Sequence, residues 1–239
     1  MDFKEILIKG CSLYGIHLSD TQIDQFRKYR ELLAEWNEKM NLTGITEEIE
    51  VAKKHFIDSV SIIKSGKLKE NIRLIDVGTG AGFPGMVVKI IRPDIQVVLL
   101  DSLNKRINFL NTVINELGLK NIETVHGRAE DFGRKEGFRE NFDIATARAV
   151  ANLTVLSEYC MPYVKQGGYF IALKGPSANE EVIDAKNAIG TLGGKLIGVM
   201  DTEIPEEDMQ HKIVVVEKIN KISEKYPRKA GQIEKKPIK

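Results

Sequence analysis

With 239 residues, a formal net charge of +1, 29% charged and 42% hydrophobic residues, the chain has room for one sizeable α/β domain with an appendage, and the balance of an ordinary soluble protein. It contains no apolar run long enough to span a bilayer, and its first residues, Met1-Asp2-Phe3-Lys4-Glu5, lack a signal-peptide core, so a cytoplasmic protein without membrane attachment is expected. Two distant cysteines, Cys11 and Cys160, and four scattered histidines offer no metal-ligand spacing; no metal site is expected, and a reducing compartment is.

Residues 1–64 read as helical. Ser19 and Gln22 have the spacing of a capping box, with Leu18 and Ile23 placed for a hydrophobic staple. Ile23, Phe26, Tyr29, Leu33, Trp36 and Met40 then recur at steps of three and four, one face of a long helix. Asn41 to Thr46 break it, and Thr46 is expected to cap a second helix reaching about Ile63. On that helix His55 and Asp58 stand three apart and share a face, suited equally to a structural pair or to a substrate contact.

From Ile72 onward short apolar runs alternate with amphipathic segments. Strands are expected at 73–77, 96–101, 122–125, 142–147, 168–173, 195–199 and 212–216. The first ends in Asp76-Val77-Gly78-Thr79-Gly80-Ala81-Gly82-Phe83-Pro84-Gly85, where clustered glycines let backbone approach a ligand closely and aim a helix N-terminus at it. Two frames compete. Gly80, Gly82 and Gly85 fit a dinucleotide fingerprint, with Asp101 near the distance of a ribose-binding acid. The other frame begins with the acid: Asp76, Gly78, Gly80 and Gly82. A carboxylate at the strand tip suits the cationic S-adenosylmethionine and repels a pyrophosphate, and Phe83-Pro84 fill a place where a phosphate loop prefers small residues. The sequence therefore favours S-adenosylmethionine.

Open parallel sheets bind ligands at the carboxyl ends of their strands. At those ends Asp101 can accept ribose hydroxyls or cap the following helix, and Ala129 with Glu130 would meet an adenine, although Glu130 also reads as a plain surface acid. The fourth strand ends in Ala147-Arg148-Ala149, without the Asn/Asp-Pro-Pro-aromatic run that exocyclic-amine methyltransferases place there and without a cysteine for a thiolate adduct. Arg148 thus points to a nucleophile that needs positioning only. Guanine N7, whose in-plane lone pair requires no general base, fits, with Arg148 and Lys174 as the positioning residues. A sheet-edge ion pair is the alternative role for Arg148.

Toward the end, the helix candidate 179–189 feeds a strand near 195, whereas the acidic segment 201–210, with Pro205, runs into the last strand without a helix. That favours an antiparallel final pair. A parallel sheet closed by such a hairpin is the Rossmann-like, seven-stranded mixed sheet of class I S-adenosylmethionine-dependent methyltransferases, here with an N-terminal helical extension. The domain reading is an extension over 1–64, the methyltransferase domain over 65–224 and a basic tail over 225–239. The tail holds six Lys/Arg and one acid, +5, so the preceding 224 residues sum to −4. It reads equally as a nucleic-acid arm and as a solvated terminus.

Taken together, several segments resemble the bacterial ribosomal RNA small-subunit methyltransferase G family, also called glucose-inhibited division protein B. They are Trp36-Asn37 with Asn41-Leu42-Thr43, His55-Phe56-Ile57-Asp58-Ser59, Asp76 to Gly85, Asp101-Ser102-Leu103, Gly127-Arg128-Ala129-Glu130, Ala147-Arg148-Ala149, Lys174-Gly175 and Tyr226-Pro227-Arg228-Lys229-Ala230-Gly231 with Lys235-Lys236-Pro237. The resemblance implies N7-methylation of one guanine in 16S ribosomal RNA or the small subunit, with S-adenosylmethionine as donor. It places cofactor contacts on Gly78, Phe83, Ala129, Glu130 and Arg148, and Asp76, Gly80, Gly82 and Asp101 join them on the motif reading. RNA contacts are expected from His55, Lys174, Arg228, Lys229, Lys235 and Lys236. A small-molecule methyltransferase on the same fold and a non-enzymatic RNA-binding module are the competing functions, and a monomer is the default state.

Overall fold

In the computed structural model, which describes residues 1–148, 150–207 and 211–239, seven strands form one sheet. They are β1 (Arg73–Val77), β2 (Gln96–Asp101), β3 (Ile122–His126), β4 (Phe142–Arg148), β5 (Val164–Lys174), β6 (Gly194–Thr202) and β7 (His211–Lys218), in the order β3-β2-β1-β4-β5-β7-β6. The first five are parallel to one another, and β7 lies antiparallel between β5 and β6. Every expected strand is present and the final pair is antiparallel as expected; Asp208 to Gln210 of the connecting segment lie outside the described residues. β1 is central because Leu74, Ile75, Asp76 and Val77 are buried whichever face they point to. Strand order reverses between β1 and β4, so their carboxyl ends open the crevice where an α/β sheet takes a ligand.

Helices cover both faces. On one side lie α1 (Phe3–Leu13), α2 (Asp20–Met40), α5 (Gly85–Ile91) and α6 (Asn104–Glu116), their core running through Phe26, Tyr29, Phe56, Phe83 and Phe109. On the other, α8 (Leu153–Cys160) and α9 (Ala178–Thr191) join Tyr163, Phe170 and Ile233. Asp2 and Glu5 form a full capping box for α1, and Ser19 with Gln22 forms the expected one for α2. Asn41, in the left-handed conformation at φ 49°, ends α2.

The second N-terminal helix departs from expectation. Glu47 rather than Thr46 is its N-cap, and it makes no side-chain cap bond. The segment is a composite: α3 (Glu48–Val51), a π-helical stretch over Ala52–Ile57, α4 (Asp58–Val60) and a 3₁₀ stretch over Ser61–Ser65. Such wide turns recur at functional sites. This one buries both His55 and Asp58.

The C-terminal segment is folded onto the sheet. Arg134 and Arg139, just beyond α7 (Ala129–Phe132), donate to the carbonyls of Ile222, Ser223, Glu224, Lys225, Tyr226 and Pro227. The short helix α10 (Ala230–Lys235) then buries Ile233 completely.

The extension is packed to the limit at Gly10. A Cβ there would overlap Ile57, with Cγ1 at 2.5 Å, and Ile57 is fully buried. Helix propensity favours Gly→Ala by about 1 kcal/mol, whereas overpacking costs about 1–3 kcal/mol. Gly10→Ala is expected to lower the denaturation midpoint; an unchanged or raised midpoint would show that the packing yields.

Candidate active site

Asp76, at the tip of β1, does not face the crevice. Its Oδ2 accepts from Thr79 Oγ1 at 2.6 Å and from the Gly85 amide, the first of α5, at 2.8 Å, while Oδ1 is buried without a partner among the described residues. The contacts of this carboxylate are therefore internal, and the first amide of α5 is already bound to it. Burial pushes the Asp76 carboxyl up to about 6, with Thr79 and the Gly85 amide opposing the rise. Gly85 has no room for a Cβ, which would stand 2.8 Å from that of Asp76.

The glycines between them divide the work. Gly78, at φ 70°, donates its amide to Leu100 O, and its backbone lines the crevice. Gly80, at φ 61°, has open space where a Cβ would be, and its amide donates to Asp101 Oδ2 at 2.9 Å. Gly82, at φ 103°, instead faces the core, where a Cβ would stand 2.5 Å from the Tyr29 hydroxyl.

Two adjoining cavities of about 400 and 310 Å³ share Gly78, Asp101, Ser102 and Val150. The first runs over Gly80 and Phe83 to Thr43, His55 and Arg148. The second is walled by Ala129, Glu130 and Tyr159, with Ala230 and Glu234 from α10. A third, of about 370 Å³, meets the first at His55 and Arg148 and is lined by Asp58, Lys174, Glu181 and His211. Asp101 is poised between the first two, its Oδ1 accepting from the Leu103 amide at 2.9 Å and its Oδ2 approached by Arg106 at 3.3 Å. Leu103, not Asp101, is the N-cap of α6.

Arg148 forms the seam between cavities. Its Nη1 donates to Asp58 Oδ2 at 2.8 Å and to Lys54 O at 2.7 Å, its Nη2 reaches His55 Nδ1 at 3.0 Å, and its guanidinium lies 4.9 Å from the Phe83 ring. His55 Nδ1 also lies 3.1 Å from Lys54 O. The guanidinium can only donate and the carbonyl can only accept, so these two Nδ1 contacts favour opposite tautomers, while Nε2 lies 2.7 Å from Thr43 Oγ1. Burial and the Arg148 charge hold His55 down at about 4, so it is neutral at pH 7. Thr43, which lines the first cavity, accepts at Oγ1 from the Ile45 amide at 3.0 Å. His55 also stacks on Phe83, centroids 4.6 Å apart and 24° between planes. Burial works to raise Asp58, but the hydrogen bond from His211 and the Arg148 charge outweigh it, and the carboxyl lies below its ordinary value. His55 and Asp58 are thus not paired with each other; both hold Arg148.

The remaining expected residues divide. Lys174 lines the third cavity, but its ammonium lies 2.7 Å from Glu181 and donates to Ala151 O at 2.9 Å. Arg228, expected to meet RNA, is bound instead to the buried Glu158 at 2.6 Å. Lys229, Lys235 and Lys236 are exposed on and beside α10. Tyr159, Glu234 and His211 also line these cavities and are not expected from the sequence.

The sheet order and the crevice at its reversal define a class I S-adenosylmethionine-dependent methyltransferase fold. A solved structure described as geranyl diphosphate methyltransferase in complex with SAM superposes with a TM-score of 0.51 at 10% identity, over 68% of this chain and 84% of the other. The family model for rRNA small subunit methyltransferase G, GidB, matches residues 22–210, and the chain belongs to that family. Proteins named ribosomal RNA small subunit methyltransferase G from Clostridium perfringens and Alkaliphilus metalliredigens are 56% and 54% identical to it, each over the full length of both chains.

The Asp76 carboxyl is titrated in a known direction. Its folded value of about 6 exceeds the ordinary 3.8, so between these values the native state binds more protons than the unfolded one. The stability of the wild type relative to Asp76→Asn should fall by on the order of 3 kcal/mol as pH rises from about 4 to about 6, then level off. His55 contributes the opposite slope to both proteins and cancels in the difference. Denaturation curves across that range check this, and a flat difference would mean that Asp76 is ionised throughout.

Proposed function

We propose that the protein transfers a methyl group from S-adenosylmethionine to N7 of a guanine in 16S ribosomal RNA. The observation that carries this reading is the seam at Arg148. Asp58 and Glu181, the carboxylates that line the third cavity with Arg148, are held in ion pairs with Arg148 and Lys174, and His55 Nδ1 is engaged by Arg148 at 3.0 Å. These groups offer no free base to a nucleophile that must lose a proton; guanine N7 has no proton to lose.

The cleft fits S-adenosylmethionine by its donor set. Gly80 leaves open space above the backbone, Asp101 and Glu130 supply acceptors for hydroxyl and amino donors, and the α5 N-terminus is closed to a phosphate by Asp76. When bound, the cofactor supplies an electrophilic methyl on its sulfonium. The adenosine end would lie by Asp101, Ala129 and Glu130 and the methionine end over Gly78 and Gly80, beside Phe83. Arg148, its guanidinium fixed by Asp58 and the Lys54 carbonyl, orients the acceptor where the first and third cavities meet, and catalysis comes from proximity and alignment. Lys174 acts through its ion pair with Glu181, shaping the loop after β5.

The relatives carry ribosomal RNA in their names, and the exposed Arg128, Lys229, Lys235 and Lys236 near the cleft mouth provide phosphate contacts for a nucleic-acid acceptor. The cytoplasm, where ribosomes assemble, is the compartment this activity requires. No helix among the described residues is long and apolar enough to cross a membrane.

Ribosomal RNA from a deletion strain, digested and read by mass spectrometry, is expected to lack one N7-methylguanosine present in the parent, restored by the wild-type gene but not by Arg148→Gln. A deletion strain that keeps every N7-methylguanosine would refute the substrate assignment.

A further inference from the structure

We propose that the C-terminal segment is a wall of the cofactor cavity rather than a free RNA-binding arm, with Glu234 its ligand-facing acceptor and Arg228 the residue that positions it. The inference rests on the S-adenosylmethionine reading above.

The second cavity is incomplete without α10. Sheet loops supply Asp101, Ala129 and Glu130, and the side opposite is closed by Tyr159 of α8 with Ala230 and Glu234. The Tyr159 hydroxyl lies 3.3 Å from Glu234 Oε1. This side of the cavity therefore carries an acceptor-rich rim, suited to the exocyclic amine or the hydroxyls of an adenosine. It is a poor site for a phosphate, which like charges would repel.

A short helix forms such a wall only if something holds it, and Arg228 does. Its guanidinium donates to both oxygens of Glu158, at 2.6 Å from Nη2 and 2.9 Å from Nε, while its own amide donates to Glu158 Oε1 at 2.7 Å. Its Nη1 reaches past α10 to the Lys236 carbonyl at 2.9 Å, the C-cap residue of that helix. One side chain thus binds the helix to α8 and spans it from end to end. Glu158 is 1% exposed, so this is a buried, forked ion pair with little left to offer a phosphate. The backbone before it is fixed by Arg134 and Arg139, and Ile233 anchors the middle of the helix. The lysines of the segment face solvent. The charge that makes the tail look like an arm is divided: Arg228 is internal, and Lys229, Lys235 and Lys236 are free.

The test uses the full-length chain with two readouts: calorimetric affinity for S-adenosylmethionine, and the salt slope of affinity for a ribosomal RNA oligonucleotide. Glu234→Ala, a surface change that leaves the fold intact, is expected to weaken S-adenosylmethionine binding about three- to tenfold, with Glu234→Gln losing less, as for the loss of one hydrogen-bond acceptor. Arg228→Ala is expected to weaken cofactor binding at least as much and to leave the salt slope unchanged. Lys235→Ala with Lys236→Ala is expected to do the reverse, lowering the slope by about one for each phosphate that is no longer neutralised. The proposal is overturned if Glu234→Ala binds the cofactor as the wild type does. It is also overturned if Arg228→Ala keeps cofactor affinity and lowers the salt slope. Should Arg228→Ala fail to fold, Glu234→Ala decides alone. A wild-type chain that does not bind S-adenosylmethionine at all would refute the cofactor reading itself, a different outcome from either.

Discussion

The Arg148–Asp58 ion pair joins the helical extension to the sheet beside the cleft. Its side chains are 15% and 7% exposed, so each charge would be costly alone, and removing one partner of such a pair typically costs about 3–5 kcal/mol. The network around it offsets desolvation: His211 on β7 binds the other oxygen of Asp58 at 3.0 Å, and Lys54 O takes the second Arg148 hydrogen bond. Its consequences spread outward. The guanidinium engages His55, His55 reaches Thr43, and Phe83 packs against the His55 ring, Arg148 and Tyr29. A rigid arginine at a strand tip can position a reacting base; a mobile one would not.

Asp76 plays the complementary part on the cofactor side. By binding the first amide of α5 it stabilises the glycine turn from within and removes the anion site that gives dinucleotide folds their specificity. The same carboxylate therefore closes the loop and occupies an amide that a phosphate would use. What remains for the ligand is open backbone at Gly80 and a rim of acceptors, which matches a ligand without phosphates.

Much of this is legible in the sequence because strands buried on both faces are short apolar runs bounded by glycine, proline and charge, as at Leu74–Val77 and Val97–Leu100. Ser19 with Gln22 marks the start of α2 in the same way, and Asp2 with Glu5 marks that of α1 by an equal spacing. Side-chain direction is not legible. Nothing local distinguishes an Asp76 that faces a ligand from one that turns back to Gly85. Arg228 looks free because its buried partner, Glu158, lies 70 residues earlier in the chain. Lys174 looks catalytic because Glu181 sits a helical turn into α9, beyond a loop whose path the sequence does not give. The π-helical stretch at Ala52–Ile57 has no sequence signature; it buries Phe56 and Ile57 and brings His55 to Arg148.

The central step proposed is a proton-free transfer at the Arg148 seam. The purified chain, incubated with methyl-labelled S-adenosylmethionine and small ribosomal subunits from a strain lacking the gene, tests it most directly when the RNA is digested to nucleosides and the label located. Label confined to 7-methylguanosine is the predicted result. Label on an exocyclic amine, a ring carbon or a ribose would contradict it.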